Sequence, residues 1–177
     1  MEKHYFIGEG PEAEKLIAAT LARREVATEA RRKLMEDYGA DGLIKRDWDG
    51  GIIVGLGFKQ KTDAPYLKGG EKVSDGYAYY PKRNTKTGKE LAKRLEDERL
   101  TFNASCFILD ALTISRMVFE GRKIFEAAAG VTEDLKKILV VIPGTKEKSS
   151  GCTDPFPAVP EWLREVKESE FLAVQGK

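Results

Sequence analysis

One histidine, two cysteines and no strong excess of either charge are the scarcities that narrow this sequence most. His4, Cys106 and Cys152 are scattered without ligand spacing, so no zinc finger or other transition-metal site can be assembled from them. The acids are plentiful enough for a carboxylate-only magnesium site, but no cluster stands out. No uncharged apolar run, Ile138 to Pro143 included, is long enough to cross a bilayer. The N-terminal stretch Met1 to Ile7 lacks the basic and long apolar regions of an export signal. A secreted domain of this size could use one disulfide, but without an export signal a reducing, cytoplasmic setting is the expectation, with both thiols free. A formal net charge of +1, from 30 basic and 29 acidic residues, gives the whole chain no pull toward nucleic acid or a membrane surface.

A length of 177 residues and an ordinary composition, 41% hydrophobic and 33% charged, lead us to expect one domain over residues 1–177 with a sizeable core. His4 to Ile7 reads as a strand. Gly8-Glu9-Gly10 breaks it, Pro11 suits the first turn of a helix, and Glu12 and Glu14 suit the positive end of its dipole. Helical spacing then runs through Leu16, Thr20, Ala27, Ala30, Leu34 and Tyr38, with Gly39 as C-cap. Gly42–Trp48 and Ile52–Phe58 flank Asp49-Gly50-Gly51, which predicts a hairpin, and the glycines alternating along the second arm predict a close neighbour over it.

Lys59 to Gly76 reads as a long loop, Tyr77 to Tyr80 as a short strand, and Thr87 to Glu98 as a helix burying Leu91 and Leu95. Cys106 to Ile114 suits a buried strand or a buried helix equally. Met117–Phe119 and Lys123–Phe125 predict a second hairpin, and Leu139–Ile142 a strand. Lys146–Pro160 reads as a connector, and Pro160 as the start of a final helix with Trp162, Leu163 and Val166 inward. The fold class expected is α+β: a mainly antiparallel sheet packed by one long N-terminal helix and shorter helices, with the first hairpin and the strand ending at Ile142 in that one sheet.

Four segments invite chemistry. Gly8-Glu9-Gly10-Pro11-Glu12-Ala13 matches the G-x-G-x-x-A form of a dinucleotide fingerprint, but three carboxylates crowd the helix end where a pyrophosphate would sit. Asp47-x-Asp49-Gly50 resembles the start of a calcium loop, yet the position of its bidentate carboxylate is Phe58. Ser149 to Asp154 is a small-residue loop carrying Cys152, for which His4 is the one imidazole available. No catalytic set, metal site or cofactor follows from any of these. The fourth, Tyr77 to Lys89, has the best physical case. From Tyr79 to Arg94 there are six cations and one acid, Glu90, an excess of five in a near-neutral chain. Aromatic rings and cations together suit nucleic acid, or an acidic protein surface with tyrosines as anchors. The plain alternative is a solvated loop with core tyrosines. The candidate partner-binding residues are Tyr77, Tyr79, Tyr80, Lys82, Arg83, Lys86, Lys89 and Lys93. On a helix, Lys86, Lys89, Lys93 and Arg94 are expected along one stripe.

Three stretches carry a resemblance: Tyr5-Phe6-Ile7-Gly8-Glu9-Gly10-Pro11, Tyr80-Pro81-Lys82-Arg83-Asn84-Thr85-Lys86-Thr87-Gly88-Lys89 and Val166-Lys167-Glu168-Ser169-Glu170-Phe171. Together they resemble a family of small uncharacterised proteins of enterobacterial phages and prophages. The family supplies no catalytic residues. The resemblance implies an accessory phage product in the bacterial cytoplasm, acting by stoichiometric binding to a host protein, such as a defence or nucleic-acid-processing system. An inhibitor of that kind is the leading expectation. Direct DNA or RNA binding comes second, and a small-molecule or nucleotide-binding enzyme third.

Overall fold

In chain order the elements begin with strand β1 (Lys3–Gly8), which leads through Gly10 into helix α1 (Pro11–Tyr38). Gly10 adopts φ +91°, left-handed backbone that glycine enters without a Cβ penalty, and its carbonyl accepts the Glu14 amide at 2.9 Å. Strands β2 (Ala40–Trp48), β3 (Ile52–Gln60), β4 (Gly70–Lys72) and β5 (Ala78–Pro81) follow, then α2 (Lys86–Leu95), a 3₁₀ turn (Glu98–Thr101) and α3 (Ala104–Ala111). The chain ends with β6 (Met117–Glu120), β7 (Lys123–Glu126), β8 (Ala128–Val131), β9 (Ile138–Pro143), β10 (Leu163–Val166) and α4 (Glu168–Gln175). This computed structural model describes residues 2–38, 40–48, 52–60, 70–72, 78–81, 84–120, 123–144 and 156–176, with 40–48, 52–60, 70–72, 78–81 and 120 described by backbone alone. The expected C-cap Gly39 and the turn Asp49-Gly50-Gly51 lie outside these residues.

The fold is α+β, and every strand pairing among the described residues is antiparallel. The strands form separate sheets, in the orders β10-β1-β9-β8, β2-β3-β5-β4 and β6-β7. The expectation of one sheet holding both the first hairpin and β9 is therefore corrected. Hydrophobic alternation shows which faces a strand buries but not which strand lies beside it.

The chain divides into two compact units, one of residues Met1–Arg24 with Asn103–Lys177, the other Glu25–Phe102. In the first, β9 is central. Its Ile138, Val140 and Ile142 pack with Phe6, Ile17, Ile108 and Leu109 on one face. Leu139 packs with Ile7 and Phe171 of α4 on the other. A strand covered on both faces reads as a continuous apolar run, which is why β9 was legible. Full burial of each of these isoleucines stabilises by roughly 1.5–3 kcal/mol. The edge strand β8 is closed by α3, whose Ser105 hydroxyl accepts the Ala129 amide at 2.8 Å.

In the second unit, Leu34 of α1 packs with Leu91 and Leu95 of α2 and with Leu100 of the 3₁₀ turn. Helix α2 stops at Leu95 rather than at Glu98. The Asp97 side chain accepts the Arg99 amide at 3.0 Å and caps a new turn instead.

One local reading left open is settled and two others need correction. The segment Cys106–Ile114 is helix as far as Ala111, with Asn103 capping α3 through the Cys106 amide at 3.1 Å. The expected loop Lys59–Gly76 contains β4, three residues without an apolar pattern that pair along β5. In place of the expected helix from Pro160, strand β10 occupies Leu163–Val166 and helix begins only at Glu168. Four residues are too few to separate strand from helix periodicity, and the open edge of β1 decides the matter by pairing Gly8 with Leu163 and Tyr5 with Val166.

Candidate partner-binding surface

Thr85 opens α2, its hydroxyl accepting the Gly88 amide at 3.0 Å. Gly88, Leu91 and Leu95 form the buried side. At about 100° per residue, Lys86, Lys89 and Lys93 fall on the opposite side, and all three are exposed. None of their ammonium groups forms an ion pair or hydrogen bond among the described residues. Several cations elsewhere are held: Arg32 by Glu29 and Glu36, Arg99 by Asp97, Arg116 by Asp110, Lys137 by Glu9 and Arg164 by Glu170.

Arg94 does not join the lysine stripe. It pairs with Asp37 at 2.7 Å and lies over the Tyr38 ring at 5.3 Å. The hydrogen bond it donates to Asp37 holds its guanidinium above the usual arginine range, against a smaller opposing effect of burial. Its position about 80° from Lys86 around the helix turns it toward α1.

Of the remaining candidates, Tyr79 and Tyr80 lie on β5, where Tyr79 pairs with Phe58 and Lys72 and Tyr80 with Glu71. Tyr77, Lys82 and Arg83 lie outside the described residues. So the structure gathers Lys86, Lys89 and Lys93 on one helix face.

The same unit holds a feature the sequence reading missed. A cleft of ≈ 750 Å³ is walled by Glu25, Glu29 and Lys33 of α1 on one side and by Lys93, Arg94 and Arg99 on the other. Val26, Ala30 and Leu100 give it an apolar floor. The signal was present as Val26, Ala30 and Leu34 at intervals of four along α1. What hid it was that a charged helix surface normally implies only solvent.

His4 and Cys152 give no catalytic pair among the described residues, since Cys152 lies outside them. His4 is buried, with Nδ1 at 2.8 Å from Glu165 Oε1, Nε2 at 3.1 Å from the Gly144 carbonyl and the Phe156 ring edge-on at 4.7 Å. Both nitrogens are engaged in structure. The glycine fingerprint has a packing explanation too: a Cβ on Gly8 would lie 2.4 Å from Trp162 Cζ3. Among the described residues no group of three or more His, Cys, Asp or Glu side chains is placed to hold a metal ion. Among them, no helix is long and apolar enough to cross a membrane.

The sequence model of a family of unknown function, DUF5420, matches residues 58–177, more than half of the chain and including all of α2. The chain belongs to this family. A 31% identical stretch of 100 residues is shared with an uncharacterized protein of Haemophilus influenzae, covering 54% of this chain and 52% of that protein. The chain thus spans about half the length of that curated relative. No solved structure matches. The lysine face lies inside the part that defines the family. The α1 wall of the cleft, Glu25 to Lys33, lies before it.

Proposed function

We propose that this DUF5420 member is a binding protein without catalytic activity that engages an acidic protein partner through the lysine face of α2. One observation carries the reading: Lys86, Lys89 and Lys93 project from the side opposite Leu91 and Leu95 with no carboxylate among the described residues to neutralise them. Three like charges within about two turns repel one another modestly in the free protein, and a negatively charged surface relieves that repulsion on binding. The resemblance to phage accessory proteins adds the context of a host macromolecule, a defence or nucleic-acid-processing protein, met in the bacterial cytoplasm. Tyr77, Tyr79, Tyr80, Lys82 and Arg83 extend the proposed surface along the chain.

The test is a triple charge reversal, Lys86→Glu, Lys89→Glu and Lys93→Glu, in the full chain. Exposed charges contribute about 0–1 kcal/mol each, so the melting temperature should move little. Association with a partner recovered from bacterial lysate should slow by an order of magnitude or more, and wild-type binding should weaken as salt rises. A partner retained after nuclease treatment fits the protein reading; one lost with the nucleic acid transfers the surface to direct DNA or RNA binding. Unchanged binding by the reversed variant removes α2 from the interaction.

A further inference from the structure

The cleft beside α2 adds a shape to that charge. Its floor exposes Val26, 49% accessible on a helix stretch otherwise dominated by charged and small residues. Its volume is within the roughly 300–1,000 Å³ typical of sites that enclose a ligand group. The walls are set in advance by two clamps. Arg31 donates to the carbonyls of Leu100 and Phe102, both at 2.9 Å, tying the 3₁₀ turn to α1. The Arg94–Asp37 pair ties the end of α2 to the end of α1. Walls tied together by contacts within the protein spare the binding reaction part of its ordering cost.

The charges on the rim are unevenly satisfied. Lys33 lies 3.5 Å from Glu29, Arg94 is paired with Asp37, and Arg99 with Asp97. Lys93 has no carboxylate among the described residues, and on the α1 wall Glu25 has no cation among them. The unneutralised charges are therefore a cation on the α2 side and an anion on the α1 side. Lys93 also belongs to the lysine face, so the cleft and the proposed contact surface are continuous.

We propose that the cleft receives an amphipathic segment of the protein partner, which seats apolar side chains on Val26, Ala30 and Leu100 and aims a carboxylate at Lys93. This rests on the reading of α2 as the contact surface and specifies what the partner presents to it. The segment has apolar residues at helical or alternating spacing, acids along the edge facing α2, and a basic residue toward Glu25. Apolar anchors in a pocket fix the register, while the lysines supply the approach rate.

The experiment is selection of a random short-peptide library against the immobilised full chain, followed by fluorescence titration of the enriched peptides. The wild type is compared with Val26→Glu, with Lys93→Glu and with the double reversal Lys86→Glu/Lys89→Glu. Val26 is exposed, so Val26→Glu should keep the wild-type melting temperature within a few degrees. Enriched peptides should combine apolar residues with Asp or Glu, and should bind about tenfold or more weakly to both Val26→Glu and Lys93→Glu. Acidic peptides without apolar anchors that ignore Val26→Glu but fail on Lys86→Glu/Lys89→Glu would overturn the cleft and leave the lysine face standing. Peptides indifferent to every variant, or no enrichment at all, would overturn both.

Discussion

Gly8 shows how one missing side chain can be read in two ways. In the sequence it fits a phosphate-binding loop; in the structure the space above its Cα is occupied by the Trp162 ring and Leu163. Gly8→Ala places a Cβ 2.8 Å from Leu163 Cδ2 and closer still to the indole, so the indole or β10 must shift. Overpacking of this kind costs roughly 1–3 kcal/mol, seen as a lower urea midpoint. Adding Trp162→Leu should recover part of the loss, because the two positions share one space. If Gly8→Ala is neutral, the glycine is not there for packing. His4 teaches the opposite lesson: a lone imidazole that invites a catalytic reading is buried between Glu165 and the Gly144 carbonyl.

Helix α1 carries its charges as a ladder. Arg32 reaches Glu29 three residues back and Glu36 four residues on, and Lys33 adds a second cation near Glu29. The hydrogen bond from Arg32 draws the Glu29 carboxyl down to about 2 from its usual 4.5, with Lys33 adding less and desolvation opposing. A carboxyl depressed in the folded state stabilises above its unfolded value and loses that effect as pH falls through its folded one. The stabilisation from Glu29 is thus present above about pH 4.5 and disappears toward about pH 2. Glu29→Gln should melt lower than wild type at neutral pH, and the difference should close over that acid window. Because both partners are exposed, the difference is small and should also shrink in high salt. A gap between the two melting curves that is constant with pH would remove the ion pair as its cause.

For the molecule as a whole, α1 is the shared element: residues up to Arg24 belong to one compact unit and those from Glu25 to the other. Ile17 is part of one core and Leu34 of another. A helix propagates cooperatively along its length, so loss of order in either half costs the other its neighbouring turn. We therefore expect a single thermal transition that coincides by calorimetry, far-UV and near-UV circular dichroism. Two resolved transitions would mean that the units unfold independently, and the domain assignment would become two.

Much of the fold was legible because local chemistry dictated it. Pro11, the acids of the first turn and a long helical repeat determine α1 end to end as far as Tyr38. Alternation and turn residues determine both hairpins, and a doubly apolar run determines β9. On α2 the leucine spacing was enough to place the lysines on the outer side. Other features depended on partners distant in the chain. The edge of β1 made Leu163–Val166 a strand, and β5 drew Gly70–Lys72 into a sheet. Asp37 removed Arg94 from the basic stripe, and the cleft arose only when Val26 and Leu100, far apart in sequence, came to share one floor. Periodicity is a property of neighbours along the chain and so reports which side of an element is buried. Which element does the burying depends on long-range contacts whose free energy no local window contains.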